Sequence, residues 1–176
     1  LVTDLIVPEG VEFINSYAFR FLDSITSVEI PDSVIGIGEE AFLYCESLVT
    51  IKITDSVKII GENAFYNTAY YNDESNWENN ILYLNTILLD AKDEALGEVI
   101  IKDGTTSVSA NAFEYSDTLT SVTIPDSVTS IGDSAFTYCD NLVTVTIGSG
   151  VIDISNYIFY SCESLKEFIV SENNPA

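Results

Sequence analysis

The chain has 176 residues, 47% of them apolar, enough to bury a sizeable core and too many for a disordered segment. Its 28 acidic residues against 6 basic ones give a formal net charge of −22, which repels nucleic-acid backbones and anionic lipid surfaces, since both are bound by clustered Lys and Arg. The absence of His removes the commonest general base and the commonest transition-metal ligand, and no apolar run is long enough to span a bilayer.

Along the chain the same unit returns. The first coil carries an aliphatic at Val7, a corner at Pro8-Glu9-Gly10, aliphatics at Val11 and Ile14, and the pair Ala18-Phe19. The second repeats this with Ile30, Pro31-Asp32-Ser33, Val34, Ile37, Gly38 and Ala41-Phe42, and the third with Ile53, Thr54-Asp55-Ser56, Val57, Ile60, Gly61 and Ala64-Phe65. Phe19, Phe42 and Phe65 are 23 residues apart, as are Phe113, Phe136 and Phe159; the step from Phe65 to Phe113 is 48, two periods plus two. One degenerate repeat, 68–97, therefore sits in the middle. It holds Tyr70, Tyr71, the single Trp77, an acidic and polar loop over 72–80, and a predicted β-hairpin of 81–84 with 87–89 around Asn85-Thr86. The later coils restore the pattern with Ile101, Ile124 and Ile147, then Val108, Ile131 and Ile154, with Ile158-Phe159 replacing the Ala-Phe pair.

Each element of one unit has a physical reading. Leu119-Thr120-Ser121-Val122-Thr123-Ile124 alternates and is β-branched, so it predicts a strand with Val122 and Ile124 inward. Pro125-Asp126-Ser127 turns the chain, because Pro cannot donate to a ladder and Asp and Ser close turns with their own side chains. A second extended piece, 128–131, runs back; Gly132 permits another bend; Ala135-Phe136 begins a tight or one-turn helical segment that plugs the coil. One coil cannot bury these residues alone, so coils stack about 4.8 Å apart with parallel pairing.

The unit L-x-x-V-x-I-P-x-x-V-x-x-I-G-x-x-A-F-x-x-C, from Leu119 to Cys139, resembles the BspA-type, treponemal-class leucine-rich repeat family. The resemblance implies a right-handed repeat solenoid with a parallel β-sheet on one face, mostly β with short helical or irregular plugs. It also implies a single leucine-rich repeat domain over 1–176, of about seven coils. Opening mid-pattern at Leu1-Val2-Thr3 and closing at Asn173-Asn174-Pro175-Ala176, the chain reads as a piece of a longer protein. By resemblance its function is a non-enzymatic extracellular or cell-surface module for protein interaction or adhesion, with a host matrix protein or another surface protein as partner. A structural spacer or a glycan-binding module is the alternative. No cofactor, metal, nucleic acid or membrane insertion is expected.

Two surfaces are candidates for binding. The outward strand columns present Thr50, Lys52, Ser121, Thr123, Thr144 and Thr146, beside Glu98, Glu167, Ile100 and Ile169; Thr equally suits any exposed strand. The degenerate repeat offers Tyr70, Tyr71 and Trp77, which either display aromatic surface to a sugar or basic partner or cover the core where the regular plug is missing. Asp73, Glu74 and Glu78 have no EF-hand spacing. Cys45, Cys139 and Cys162 share one column with Leu22, Thr68 and Ser116, the mark of a small packing position and of free thiols. Tyr44, Tyr115 and Tyr138, with Phe21, form a further column that either makes an aromatic strip or packs between loops.

Overall fold

Alternation decides the direction of each strand. From Ser121 to Ile124 the strand alternates, with Val122 and Ile124 buried and Ser121 and Thr123 half-buried, whereas Leu119 is buried and Thr120 exposed out of that phase, where the pairing register shifts by one residue. The computed structural model describes residues 2–174; Leu1, Pro175 and Ala176, the outermost residues of the mid-pattern ends, lie outside the described residues. Chain contacts gather into two units, Leu1–Trp77 and Glu78–Ala176. Both are β-solenoids built of parallel sheets.

In the first unit, Asp4–Ile6, Ser27–Glu29 and Thr50–Lys52 form one parallel ladder, and Phe13–Ile14, Gly36–Ile37 and Ile59–Ile60 form the second. The registers Val28↔Ile51 and Ile37↔Ile60 are one repeat apart, so each core column stacks on itself. Phe19, Phe42 and Phe65 stack with centroids 5.2 and 5.1 Å apart. In the second unit the long ladder is Gly97–Ile100, Leu119–Ile124, Thr144–Ile147 and Glu167–Val170. The other ladder runs through Ile87–Ala91, Ser107–Val108, Ser130–Ile131 and Asp153–Ile154. Phe113, Phe136 and Phe159 stack at 4.9 and 5.4 Å. Each fully buried Ile, Leu or Phe stabilises the stack by about 1.5–3 kcal/mol.

Three local readings are sharpened. Of the tight or one-turn helical segment expected after each Ala-Phe pair, the tight form is the one present: the plug is a run of turns. Two residues before and two after each plug Phe the backbone is left-handed, with φ between 52° and 60° at Glu40, Tyr44, Asn111, Tyr115, Ser134 and Tyr138, which stops α-helical propagation. The reward is a third ladder between coils: the amides of Glu40, Phe42 and Tyr44 donate to the carbonyls of Glu62, Ala64 and Tyr66 at 2.8, 2.7 and 3.0 Å. These bonds satisfy donors that a helix would otherwise use within itself.

The glycine column stands where the chain leaves a strand for a turn, but that turn does not call on glycine's conformational freedom. Gly38, Gly61 and Gly132 have no positive φ; a Cβ on Gly61 would lie 2.5 Å from the Glu39 amide nitrogen, and one on Gly38 or Gly132 would strike the backbone nitrogen of Ser16 or Ala110. Glycine is there because the preceding coil passes too close for any side chain. The corner serines, thirdly, do more than close their own turns: Ser33 Oγ donates to the Val11 carbonyl at 2.9 Å and accepts from the Gly10 amide at 3.0 Å, and Ser56 Oγ donates to the Val34 carbonyl at 2.8 Å. They staple one coil to the previous one.

The degenerate repeat places a short helix leading into the acidic and polar loop expected over 72–80 and a 3-10 turn within it. Thr68 accepts from the Tyr71 amide at 3.1 Å and caps a four-residue helix, Ala69–Asn72. Asp73 then accepts from the Ser75 amide at 2.9 Å and caps the 3-10 turn Glu74–Asn76. In the second unit, Ile81–Leu84 and Ile87–Ala91 pair antiparallel, with Leu84 opposite Ile87.

Candidate binding surface

The outward strand columns are set by the parallel registers. In the first unit Ser27 stands beside Thr50 and Glu29 beside Lys52; Lys52 Nζ lies 3.7 Å from Glu29 Oε2, and both side chains are largely exposed. Screening and side-chain entropy leave such a pair worth little. In the second unit Ser121 stands beside Thr144 and Thr123 beside Thr146. These four are half-buried by their neighbours, whereas Ile100, next to Thr123 in the same row, is 78% exposed. In the second unit these columns are mostly hydroxyls and carboxylates, with Ile100 and Ile169 as their exposed large side chains, and hold no Tyr, Trp or Arg.

The capped helix positions the predicted aromatics. Tyr70, Tyr71 and Trp77 are all half-buried, so each keeps one side on the protein and another toward solvent. The Tyr70 amide donates to the Leu48 carbonyl at 2.9 Å, and its own carbonyl accepts from Asn76 Nδ2 at 2.8 Å. Trp77 Nε1 donates to the Tyr71 carbonyl at 2.8 Å, which satisfies the indole and fixes its plane. The Trp77 ring meets Tyr71 edge-on at 5.2 Å.

That contact is the end of a longer series. Tyr71 lies 5.0 Å from Tyr66, Tyr66 lies 6.3 Å from Tyr44, and Tyr44 stacks on Phe21 at 5.3 Å. Phe21 is 56% exposed and Tyr66 41%. At the far end the Arg20 guanidinium sits 4.7 Å from the Phe21 ring and 5.8 Å from Tyr17, with Nη1 3.1 Å from Glu40 Oε2. The strip of Phe21 and Tyr44 thus exists and runs into the cluster of Tyr71 and Trp77. Tyr66 is the joining residue that sequence reasoning missed. Its column, one after the plug Phe, holds Arg20, Leu43, Glu114, Thr137 and Tyr160 elsewhere and shows no consistent chemistry. The signal was an aromatic within two residues of the plug Phe in successive coils.

The second unit carries a parallel series. Tyr115 stacks on Tyr138 at 4.8 Å with the planes 6° apart, and Tyr160 meets Tyr138 and Tyr157 edge-on at 5.7 and 6.0 Å. In the same unit, Lys102 Nζ pairs with Glu78 Oε2 at 2.9 Å and lies 5.6 Å from the Tyr83 ring, while the Lys102 amide donates to the Tyr83 hydroxyl at 3.2 Å. These residues line an open groove of about 380 Å³ that includes Glu98 and Ile100.

The remaining candidates are committed to packing. Cys45, Cys139 and Cys162 are free thiols, and their Sγ atoms donate to the carbonyls of Phe19, Phe113 and Phe136, each at 3.0 Å. A hydrogen bond with Cys162, followed by burial, pushes the Cys139 thiol far above the ordinary range, so it is a poor nucleophile at neutral pH. Leu22, in the same column at the first coil, is instead 41% exposed. Asp73 is engaged by Ser75 and Glu78 by Lys102. Among the described residues no group of three or more His, Cys, Asp or Glu gathers in a metal-binding arrangement, and no helix is long and apolar enough to cross a membrane.

The model for the BspA type leucine rich repeat region matches in six copies, over residues 1–87 and 91–175. Among solved structures, the chain is 24% identical to a leucine-rich repeat protein of Treponema pallidum, covering 95% of this chain and 69% of that one at a TM-score of 0.44. A leucine-rich repeat protein from Bacteroides ovatus is 27% identical, with 94% of this chain and 45% of that one covered at a TM-score of 0.45. A leucine-rich cell-surface protein from Faecalibacterium prausnitzii is 23% identical, with 96% and 59% covered at a TM-score of 0.44. The chain spans about half the length of the last two. Comparison with curated proteins finds no relative.

Proposed function

Because the chain belongs to the BspA-type leucine-rich repeat family, we propose that it is a non-catalytic protein-interaction module of an extracellular or cell-surface protein, acting in adhesion. The observation that carries this reading is the wet aromatic series from Phe21 to Trp77. Tyr and Trp dominate binding hot spots because they bring large rigid area at low entropic cost, and a Ser/Thr face does not. Binding therefore centres on Tyr71 and Trp77, with Tyr70, half-buried on the same short helix as Tyr71, as the third candidate. Thr50 and Lys52 in the first unit, and Ser121, Thr123, Thr144 and Thr146 in the second, are secondary, complementary positions.

The test is binding of the whole chain to immobilised extracellular matrix proteins and to a glycan array at physiological salt, beside two variants. Trp77→Ala is expected to weaken a matrix-protein hit by at least about tenfold, the scale of a hot-spot truncation. The double change Thr123→Glu with Thr146→Glu is expected to reduce it only a few-fold at an unchanged melting temperature. A glycan hit without a protein hit would replace this reading with a lectin-like one. No hit on either would leave a structural spacer as the better account.

A further inference from the structure

We propose that the aromatic series of the first unit recognises cations, and that its partner is a basic, arginine-bearing peptide segment. This inference rests on the protein-interaction reading above and deepens it. The chain already displays the chemistry on itself. Arg20 lies over Phe21 at 4.7 Å and near Tyr17 at 5.8 Å while Glu40 takes its charge at 3.1 Å. Two aromatic rings and a carboxylate are what a planar guanidinium needs, since it stacks on a π-face and is bidentate toward oxygen.

The rings continue beyond that internal cation through Tyr44, Tyr66 and Tyr71 to Trp77. Carboxylates rim them. Glu39 accepts from the Tyr17 hydroxyl at 3.0 Å and Glu46 from Asn67 Nδ2 at 3.3 Å, and both residues are exposed. The unit's other cations are committed elsewhere: Lys52 pairs with Glu29 on the strand face, and Lys58 Nζ donates to the Asp55 carbonyl at a corner. With a net charge of −22 the field over the whole chain draws a basic ligand and repels an acidic one. A neutral sugar would use the rings but gain nothing from the rim, so charge complementarity selects the basic peptide.

The experiment uses the full chain and a labelled peptide of alternating Arg and Gly, read by anisotropy at about 0.15 M salt and by emission of the single Trp77. The comparison probes are the same peptide with citrulline for Arg and a neutral oligosaccharide. Citrulline keeps the shape and removes the charge. The arginine peptide is expected to bind at least about tenfold more tightly than the citrulline peptide, with a change in Trp77 emission. Tyr44→Asn with Tyr66→Ala is expected to weaken it about tenfold at an unchanged melting temperature; Asn suits the left-handed backbone and occupies the same column naturally at Asn67. Equal affinity for arginine and citrulline peptides overturns the proposal. So does binding that the ring variant leaves intact, since the acidic surface at large would then be the site, and so does preference for the sugar. If matrix-protein binding is lost in Trp77→Ala while the peptides show no charge preference, the interaction reading stands and this inference alone falls.

Discussion

The two units solve the same problem, a ladder of coils interrupted by an irregular repeat, with different devices. The first closes with a capped helix: Thr68, fully buried, holds the turn from which Tyr71 and Trp77 project. The second opens with a hairpin whose strand Ile87–Ala91 takes the place of a coil, pairing Ile87 with Ser107 and Leu88 with Val108. A ladder therefore asks only for a backbone edge in register and a column of apolar side chains, and a hairpin supplies both. The helix supplies neither a long edge nor a plug Phe, and puts aromatic surface there instead.

If the units share one core logic, their plug rings should be equivalent. Phe42 and Phe136 are each fully buried between two stacked Phe rings. Phe42→Ala and Phe136→Ala are each expected to cost about 3–5 kcal/mol, read by denaturant unfolding. Costs differing by more than about 1.5 kcal/mol would break the equivalence and show that one unit relaxes around the cavity better than the other. The glycine column tests the same point more gently. Gly61→Ala and Gly132→Ala push a methyl group into the backbone of the preceding coil and are each expected to cost roughly 1–3 kcal/mol by overpacking. Gly104→Ala, with φ at +87° and open space around the added carbon, separates conformational strain from steric contact.

These two tests also mark what was legible. The columns at Ile30, Val34, Ile37 and Phe42 are apolar in every regular coil except at Thr105, and they are buried in the coils of Phe42, Phe65, Phe113 and Phe136, because a core residue is apolar whatever its backbone does; Ile154, in the coil of Phe159, is 50% exposed. The stacking glycines were visible as a column, but their cause was not, since sequence shows that a side chain is absent and not what would collide with it. The third ladder through the plug was invisible. Its left-handed positions hold Tyr, Phe, Glu, Asn and Ser, residues with no shared left-handed signature, held there by bonds to the next coil. The surface series was legible in pieces: Tyr71 and Trp77 as one cluster, Phe21 and Tyr44 as a column, and nothing in the spacing to say that Tyr66 joins them.

The left-handed tyrosines offer a finer comparison. Tyr115 holds φ at 60° and stacks on Tyr138; Tyr44 holds φ at 57° and stacks on Phe21. Replacing either by Asn removes a stack worth about 0.5–1.5 kcal/mol and relieves a strain of about 1–2 kcal/mol, so the net change should stay within about 1 kcal/mol. Tyr115→Val loses the stack and adds a β-branched carbon to the strained position, and should be less stable than Tyr115→Asn by about 1–2 kcal/mol. Equal stability of the Val and Asn variants would mean that the bond from the Tyr115 amide to the Thr137 carbonyl, 3.0 Å, does not hold the conformation against side-chain preference.

The smallest effect lies at the corners. Asp126 Oδ1 accepts from the Ser149 amide of the next coil at 2.6 Å, and that hydrogen bond holds its carboxyl below the ordinary value of 3.8. A carboxyl lowered in the folded state contributes stability that is present above the unfolded value and disappears as pH falls through the folded one. Asp126→Asn should therefore melt slightly below the parent chain at pH 7, with the gap closing as pH drops below about 4. A gap that persists unchanged into acid would show that Asp126 acts through shape and not charge. No gap at pH 7 would instead show that the staple between coils rests on a hydrogen bond that the neutral Asn accepts equally well.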